Sequence, residues 1–326
     1  MGRSKQRIDY FDNARFILIF LVVVGHMISP YRHESAFLEA FYKFIYTFHM
    51  PAFILISGFF AKKIFEKGYL LKVFQKVLLP YFIFQLIYTA FYTIQDDEFE
   101  FTLFDPHWTL WFLVSLASWH LLLLIFIRIR YSLFIAVGIG ALIGTVPFIG
   151  TYLSLSRTFV FFPIFLLGYY LDQKQFERLS HRNYRIPGAI SLILLFTSYY
   201  VFLRDLPREW LFASSSYADL GVHADDGVWI RLSIYAIVFI GTFAFLSIVP
   251  KQKLFFTKLG ERTLYVYLLH GLVLKILDRT PILEMFVDRN IPIMLFLIGF
   301  MITWILASRP VIKAARVIVE PGKSIF

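Results

Sequence analysis

Three side chains in the first apolar stretch of this 326-residue chain have the types and spacing for chemistry at two depths of a bilayer. In "YFDNARFILIFLVVVGHM", Arg15 and His26 lie three helical turns plus about 20° apart, so both project from one face, about 16 Å apart along the axis. Asp12 precedes Arg15 by three residues and can pair with it. An ionisable group inside a span costs a few kcal/mol or more, which makes it a functional candidate by default. A neutral imidazole is suited to general-base work. The chemical reading therefore makes His26 a base, Arg15 a guide for a donor carbonyl or phosphate, and Asp12 the group that holds Arg15. The same residues also suit a snorkelling arginine and a histidine that bonds a neighbouring helix.

Other polar residues extend the pattern. In "FHMPAFILISGFF", His49 falls at the depth of His26 on a helix of opposite direction. Pro51 frees carbonyls beside it, which is tolerated where a helix lines a cavity or is buried in protein; a packing kink explains Pro51 equally well. Lys72 and Lys76, one turn apart before the third span, suit the phosphates of a nucleotide-like donor, or ordinary cytoplasmic charge. His107, Trp108 and Trp111 in "DPHWTLWFLVSLASWH" form an amphipathic rim, fit either to stack a sugar or to anchor the helix at the interface. Arg157, at the outer edge of a later span, either joins that rim as a substrate-binding group or snorkels. His270, in "ERTLYVYLLHGLV", reads as a structural hydrogen-bond donor. With no cysteine, disulfides, thiolate metal sites and a cysteine nucleophile are excluded. No Walker loop, Gly-x-Ser-x-Gly elbow or His-Glu-x-x-His motif occurs, and no metal or permanently bound cofactor is expected.

The elements that position these groups are membrane spans. Hydrophobic residues make up 59% of the chain and charged ones only 17%, against about 25% in soluble domains. At roughly 20 apolar residues per crossing, about ten spans are expected. They are Ala14–Pro30, Phe44–Phe60, Val77–Ile94, Trp108–Ile127, Ser132–Ile149, Arg157–Leu171, Ile186–Leu203, Val228–Val249, Thr263–Leu277 and Ile291–Ser308. The first is read as permanent, because His26 and Pro30 stand where a signal peptide would need small residues. Most basic residues, from Arg3, Lys5 and Arg7 to Arg316 and Lys323, fall in alternate loops, which places both termini in the cytoplasm. Asp96, Asp97, Glu98, Glu100 and Asp105 fall in one outer loop. The net charge of +10 thus reflects loops facing anionic lipid, and no nucleic-acid partner is expected. The expected fold is all-α and polytopic, with residues 1–326 forming one membrane domain and no separate soluble domain.

"FDNARFILIFLVVVGH" followed by "FHMPAFILISGFF" resembles the opening of acyltransferase family 3 proteins, and "WFLVSL", "FFPIFLLGYYL" and "GERTLYVYLLHGLV" resemble its fucose 4-O-acetylase-like branch. The resemblance runs from about Asp9 to Leu274. It implies a ten-span cell-membrane transferase that moves an acetyl or other acyl group from cytoplasmic acyl-CoA, its donor substrate, to an extracytoplasmic or cell-surface carbohydrate hydroxyl. The family's intramembrane His falls on His26 and its first-span Arg on Arg15. Its His-Met pair falls on His49 and Met50. Its basic pair, usually with Arg, falls on Lys72 and Lys76, and lysine keeps the charge but loses the bidentate fork. Some relatives carry a further extracytoplasmic domain, so this chain is expected to act either alone or with a separate extracytoplasmic transferase or glycan-synthesis proteins; its other expected partners are the lipid bilayer, acyl-CoA and the glycan acceptor. The pattern also suits a transporter with His26 and His49 as a proton relay, or an accessory subunit of a glycan export or synthesis complex. Against transport, no repeated halves are visible.

Overall fold

The computed structural model describes residues 2–96, 102–147, 152–289 and 291–323, and every regular element among them is helical. The composition explains why. In lipid no water satisfies backbone N–H and C=O groups, and a helix satisfies them within its own segment. In chain order the helices are α1 (Gly2–Ile28), α2 (Ala36–Phe60), α3 (Tyr69–Val73), α4 (Leu79–Asp96), α5 (Trp111–Phe126), α6 (Ser132–Leu142), α7 (Leu155–Tyr170) and α8 (Gln173–Leu179). There follow α9 (Arg182–Val201), α10 (Glu209–Phe212), α11 (Ala224–Ile248), α12 (Thr263–Leu277), α13 (Ile282–Asp288), α14 (Ile293–Leu306) and α15 (Arg309–Val319).

A helix lies within each expected span, but the boundaries differ for a physical reason. Hydropathy marks the apolar part of a helix, and helices α1, α2 and α9 continue past it into polar sequence. The third span begins at Tyr69 rather than Val77. A π-helical turn, Phe74–Leu78, joins α3 to α4, so Lys72 and Lys76 ride on the helix itself. The fifth segment stops in a 3-10 turn at Ile143–Thr145, short of Pro147, and Ile149 lies outside the described residues. So do Asp97, Glu98 and Glu100, and the side chains of Arg3, Lys5, Arg7, Asp96 and Lys323. The short helices α8, α10, α13 and α15 were not anticipated, because none carries an apolar run of spanning length.

Five helical stretches are long and apolar enough to cross a membrane: Asp9–Ile28, Ala36–Lys63, Tyr69–Ile94, Tyr152–Tyr170 and Ala224–Ile248. Helices α14 and α15, bent by 67° between them, make a sixth if taken together, and α5 and α6 are apolar but shorter. Outward-facing residues match such a solvent. Ile94, Phe134 and Phe202 are 84%, 77% and 80% exposed. In water such surface invites association, whereas acyl chains solvate it.

The helices fall into two compact units. One comprises Met1–Phe53, Asp172–Pro207 and Ala236–Ala314; the other comprises Ile54–Leu171, Arg208–Tyr235 and Ala315–Phe326. In the first, α1 packs against α12, α14 and the 3-10 turn Thr257–Arg262. In the second, α7 packs on both α5 and α6. Trp119 of α5, fully buried, donates from Nε1 to the Thr158 carbonyl at 2.7 Å, and the Ser115 and Thr158 hydroxyls meet at 2.8 Å.

Within the second unit α2 and α7 cross at two glycines. A Cβ on Gly58 would sit 2.0 Å from the Phe165 carbonyl oxygen, and one on Gly168 would sit 2.0 Å from that of Leu55. Small residues bring membrane helices into such backbone contact. Gly168→Ala is expected to cost about 1–3 kcal/mol, because backbone must move. Gly138→Ala, where a Cβ meets nothing within 4 Å, should be neutral or stabilise by up to about 1 kcal/mol. Thermal unfolding of the two variants in detergent checks this, and equal midpoints would count against the crossing.

Candidate active site

The candidate site is built on α1. At its polar end, Arg15 Nη1 donates to Asp12 Oδ1 at 3.3 Å, as the three-residue spacing predicts. The Asp12 side chain is 4% exposed and its Oδ2 has no hydrogen-bond partner among the described residues, while Arg15 keeps 28% of its side-chain surface. The neighbour between them sets the register. Asn13 donates from Nδ2 to the carbonyls of Pro250 (3.0 Å) and Gln252 (2.9 Å), and its Oδ1 accepts from the Thr257 hydroxyl at 2.6 Å. Gly260 lies so close that a Cβ there would be 1.9 Å from the Asp12 carbonyl oxygen. Glu261, next to it, lies within electrostatic range of both Asp12 and Arg15. Thus "FDNAR" and "KLGER", distant in sequence, meet in one polar joint whose centre, Asp12, Asn13, Thr257 and Gly260, is buried. Asn13, Thr257, Gly260 and Glu261 were not singled out from sequence. The signal available was an Asn beside two charges at the mouth of a span.

At the other end of α1, three histidines from three helices converge. The His26 ring lies 5.4 Å from that of His270 on α12 and 6.4 Å from Tyr46 on α2. The Tyr46 ring is in turn 4.6 Å from His49. Both His49 and His270 lie within electrostatic range of His26. His49 is tied by Nδ1 to the Ile45 carbonyl at 2.6 Å, and His270 by Nδ1 to the carbonyls of Tyr267 (2.7 Å) and Val266 (3.0 Å). A carbonyl only accepts, so in each ring Nδ1 carries the proton and the neutral imidazole keeps its lone pair on Nε2. His49 and His270 are buried, while His26 is partly exposed. Sequence reading paired His26 with His49 alone and left His270 as a structural residue; the fold brings His270 beside it. The signal was its place on a second helix that, anchored at Gly260 and Asp12, runs alongside α1.

Arg15 and His26 do share one side of α1. Ile17, Phe20 and Leu21, partly exposed, occupy the opposite side. On the polar side, Ile19 and Val22 lie between the two and are each 2% exposed. The two groups are thus reached separately in this structure, with apolar packing along the stripe between them.

The remaining candidates belong to the second unit. Lys72 and Lys76 are exposed on α3 and the π-helical turn. Such turns are frequent at functional sites. His107 is bound into the loop before α5: its backbone N donates to Gln85 Oε1 at 3.0 Å, its Nε2 meets the Thr89 hydroxyl at 2.9 Å, and its ring lies 5.3 Å from Tyr92. Trp108 follows with φ of +32°, an uncommon conformation for a bulky residue. The Arg157 guanidinium lies 5.0 Å over the Trp111 ring, and its Nε donates to the Phe212 carbonyl at 3.3 Å. Trp111 and Arg157 therefore form one cation–π platform, while His107 is held against α4. Missed in the sequence was Arg231, a charged residue inside an apolar segment. It is buried, donates to the Trp210 carbonyl at 2.6 Å and lies 5.2 Å over that ring.

Replacing Asn13 with alanine leaves two main-chain carbonyls and the Thr257 hydroxyl without their partner. The expected loss is about 2–4 kcal/mol, read as a lower thermal midpoint in detergent, with Thr257→Val losing less. An unchanged midpoint for Asn13→Ala would show that the joint does not hold the two segments together.

Known proteins resemble parts of this chain. Nodulation protein NolL of Mesorhizobium japonicum is 39% identical over 87 residues, covering 24% of this chain and 23% of that protein. Nodulation protein NolL of Sinorhizobium fredii is 48% identical over 54 residues, covering 16% and 15%. The chain thus spans less than a quarter of the length of the curated relatives it matches. No solved structure matches it. The family model Acyl_transf_3, described as an acyltransferase domain, matches residues 8–308, through both units and from Asp12 to His270. The chain belongs to this acyltransferase family.

Proposed function

We propose that the protein is a multi-pass cell-membrane O-acyltransferase. It moves an acyl group, in the first instance acetyl, from cytoplasmic acyl-CoA to a hydroxyl of an extracytoplasmic or cell-surface carbohydrate. The observation that carries this reading is the meeting of His26, Tyr46, His49 and His270 around one end of α1, with Arg15 at the other end, in a chain of an acyltransferase family. Residues 1–326 act in it as one membrane domain crossing the bilayer about ten times, with both termini cytoplasmic, as the distribution of basic residues supports.

In the proposed reaction His26 removes the proton of the acceptor hydroxyl as its oxygen attacks the thioester carbonyl. A C–O bond forms, the C–S bond breaks, and the departing thiolate takes the proton back from the imidazolium, leaving an ester and free CoA thiol. His49 orients His26 or the acceptor. Arg15, held by Asp12, steers the donor. Lys72 and Lys76 bind the donor's phosphates as point charges. Trp111 and Arg157 offer a face on which a sugar ring stacks, with His107 and Trp108 at its edge. A pantetheine arm lying along α1 requires the side chains that cover Ile19 and Val22 to move aside.

Acetyl transfer from radiolabelled acetyl-CoA to the glycan of membrane vesicles tests the reading, with mass spectrometry of that glycan identifying the ester. His26→Ala is expected to lose about 10²-fold or more in turnover at an unchanged thermal midpoint. Near-normal turnover eliminates His26 as the base. Lys72→Gln with Lys76→Gln should raise the donor KM several-fold, with a weaker dependence on salt than the unaltered protein. An unaltered KM removes the two lysines from the donor site.

A further inference from the structure

Two cations held near each other and partly out of water repel, and an anion between them relieves that repulsion. The first unit contains such a pair. Helices α9 and α11 run antiparallel there and touch through backbone. A Cβ on Gly188 would sit 2.0 Å from Ser247 Oγ and 3.0 Å from the Ala244 carbonyl oxygen, and one on Gly241 would sit 3.2 Å from Leu195 Cδ2. Arg185 lies one turn before Gly188 in the first turns of α9, and Lys251 lies just past the end of α11. The crossing therefore sets both cations at the same end of the helix pair. Each is partly buried. Burial, and then the nearby Arg185 charge, hold the Lys251 ammonium below the usual lysine range. Among the described residues neither cation meets a carboxylate at ion-pair distance. Lys251 Nζ donates to the Glu177 carbonyl at 3.3 Å, and the buried Nε of Arg185 has no hydrogen-bond partner among the described residues.

The segment that carries Lys251 is also tied to α1. Asn13 donates to the carbonyls of Pro250 and Gln252, the residues on either side of Lys251, and the Tyr10 hydroxyl donates to the Leu246 carbonyl at 2.7 Å. Tyr10 lies within electrostatic range of Arg185. The cation pair is thus anchored at the polar end of α1, the end that carries Asp12 and Arg15. We infer that Arg185 and Lys251 form a phosphate site for the nucleotide end of the acyl-CoA donor. This rests on the proposed cytoplasmic donor and names groups of the first unit that hold it. A guanidinium offers a planar fork of N–H donors and an ammonium a compact charge, and together they suit a phosphate. The phosphate of an anionic lipid headgroup has the same chemistry. The donor is favoured because the pair is partly withdrawn from the surface and is joined through Asn13 to the residues beside Arg15.

Equilibrium binding of CoA to the purified protein in detergent tests this without requiring turnover. R185Q and K251Q are each expected to weaken CoA binding about tenfold at low salt, with the loss shrinking as salt is raised. K251R, which keeps the charge, is expected to retain most of the affinity. Thermal midpoints identify variants that fold, and K251Q, in a segment outside the helices, decides alone if R185Q does not fold. Unchanged CoA affinity in K251Q, or a loss that K251R shares, overturns the inference. The donor proposal then stands, since the unaltered protein still binds CoA. An unaltered protein that does not bind CoA removes the donor and this inference together. Fluorescent phosphatidylglycerol separates the two sources of phosphate. Normal CoA binding by the glutamine variants with weakened retention of that lipid assigns the site to a headgroup and overturns the donor assignment.

Discussion

A polar side chain that enters an apolar helix bundle is costly to bury without a partner, and the pairing of such groups organises the first unit. Asn13 is the clearest case. Its amide spans two carbonyls and a hydroxyl on the segment from Pro250 to Thr257, and so ties α1 to the start of α12. Lys43, also buried, meets the same requirement by pairing with Glu39 at 3.0 Å and donating to the Arg204 carbonyl. The contact of Gly260 with the Asp12 backbone then follows, because only a residue without a Cβ allows main chain to come so near. The histidine cluster depends on this joint. His26 and His270 face each other only if the two helices that carry them share one register.

The second unit solves the same problem with aromatic rings and backbone carbonyls instead of ion pairs. Arg157 and Arg231 lie over Trp111 and Trp210, and their remaining contacts include carbonyls of α10. Tyr235 donates to the Val160 carbonyl at 2.6 Å and Tyr217 to that of Ala141 at 2.6 Å. A guanidinium is weakly hydrated and planar, so a tryptophan face and a carbonyl together compensate much of its desolvation.

Much of this was legible from residues alone. Helices lie at the apolar runs, because lipid leaves a helix as the one economical way to satisfy the backbone of each segment, but only five, or six with the bent pair, have the length and apolarity of a span. The Asp12–Arg15 pair and the common side of Arg15 and His26 follow from helical periodicity, which is local. The π-helical turn at Phe74–Leu78 was not legible, since no residue there marks it. Nor were the short helices α8, α10, α13 and α15, whose sequences lack the apolar length that signals a span.

Sequence by itself determined the apolar, helical class and the common side of Arg15 and His26 on α1, since each depends on composition or on spacing within one helix. Only tertiary structure decided which groups meet. It brought the His270 ring to 5.4 Å from that of His26, joined Asn13 to Thr257, and buried Ile19 and Val22 between Arg15 and His26. The physical reason is that contact between helices depends on their relative register and rotation. Those are fixed by packing and by buried hydrogen bonds summed over residues more than two hundred positions apart, and no local pattern encodes them.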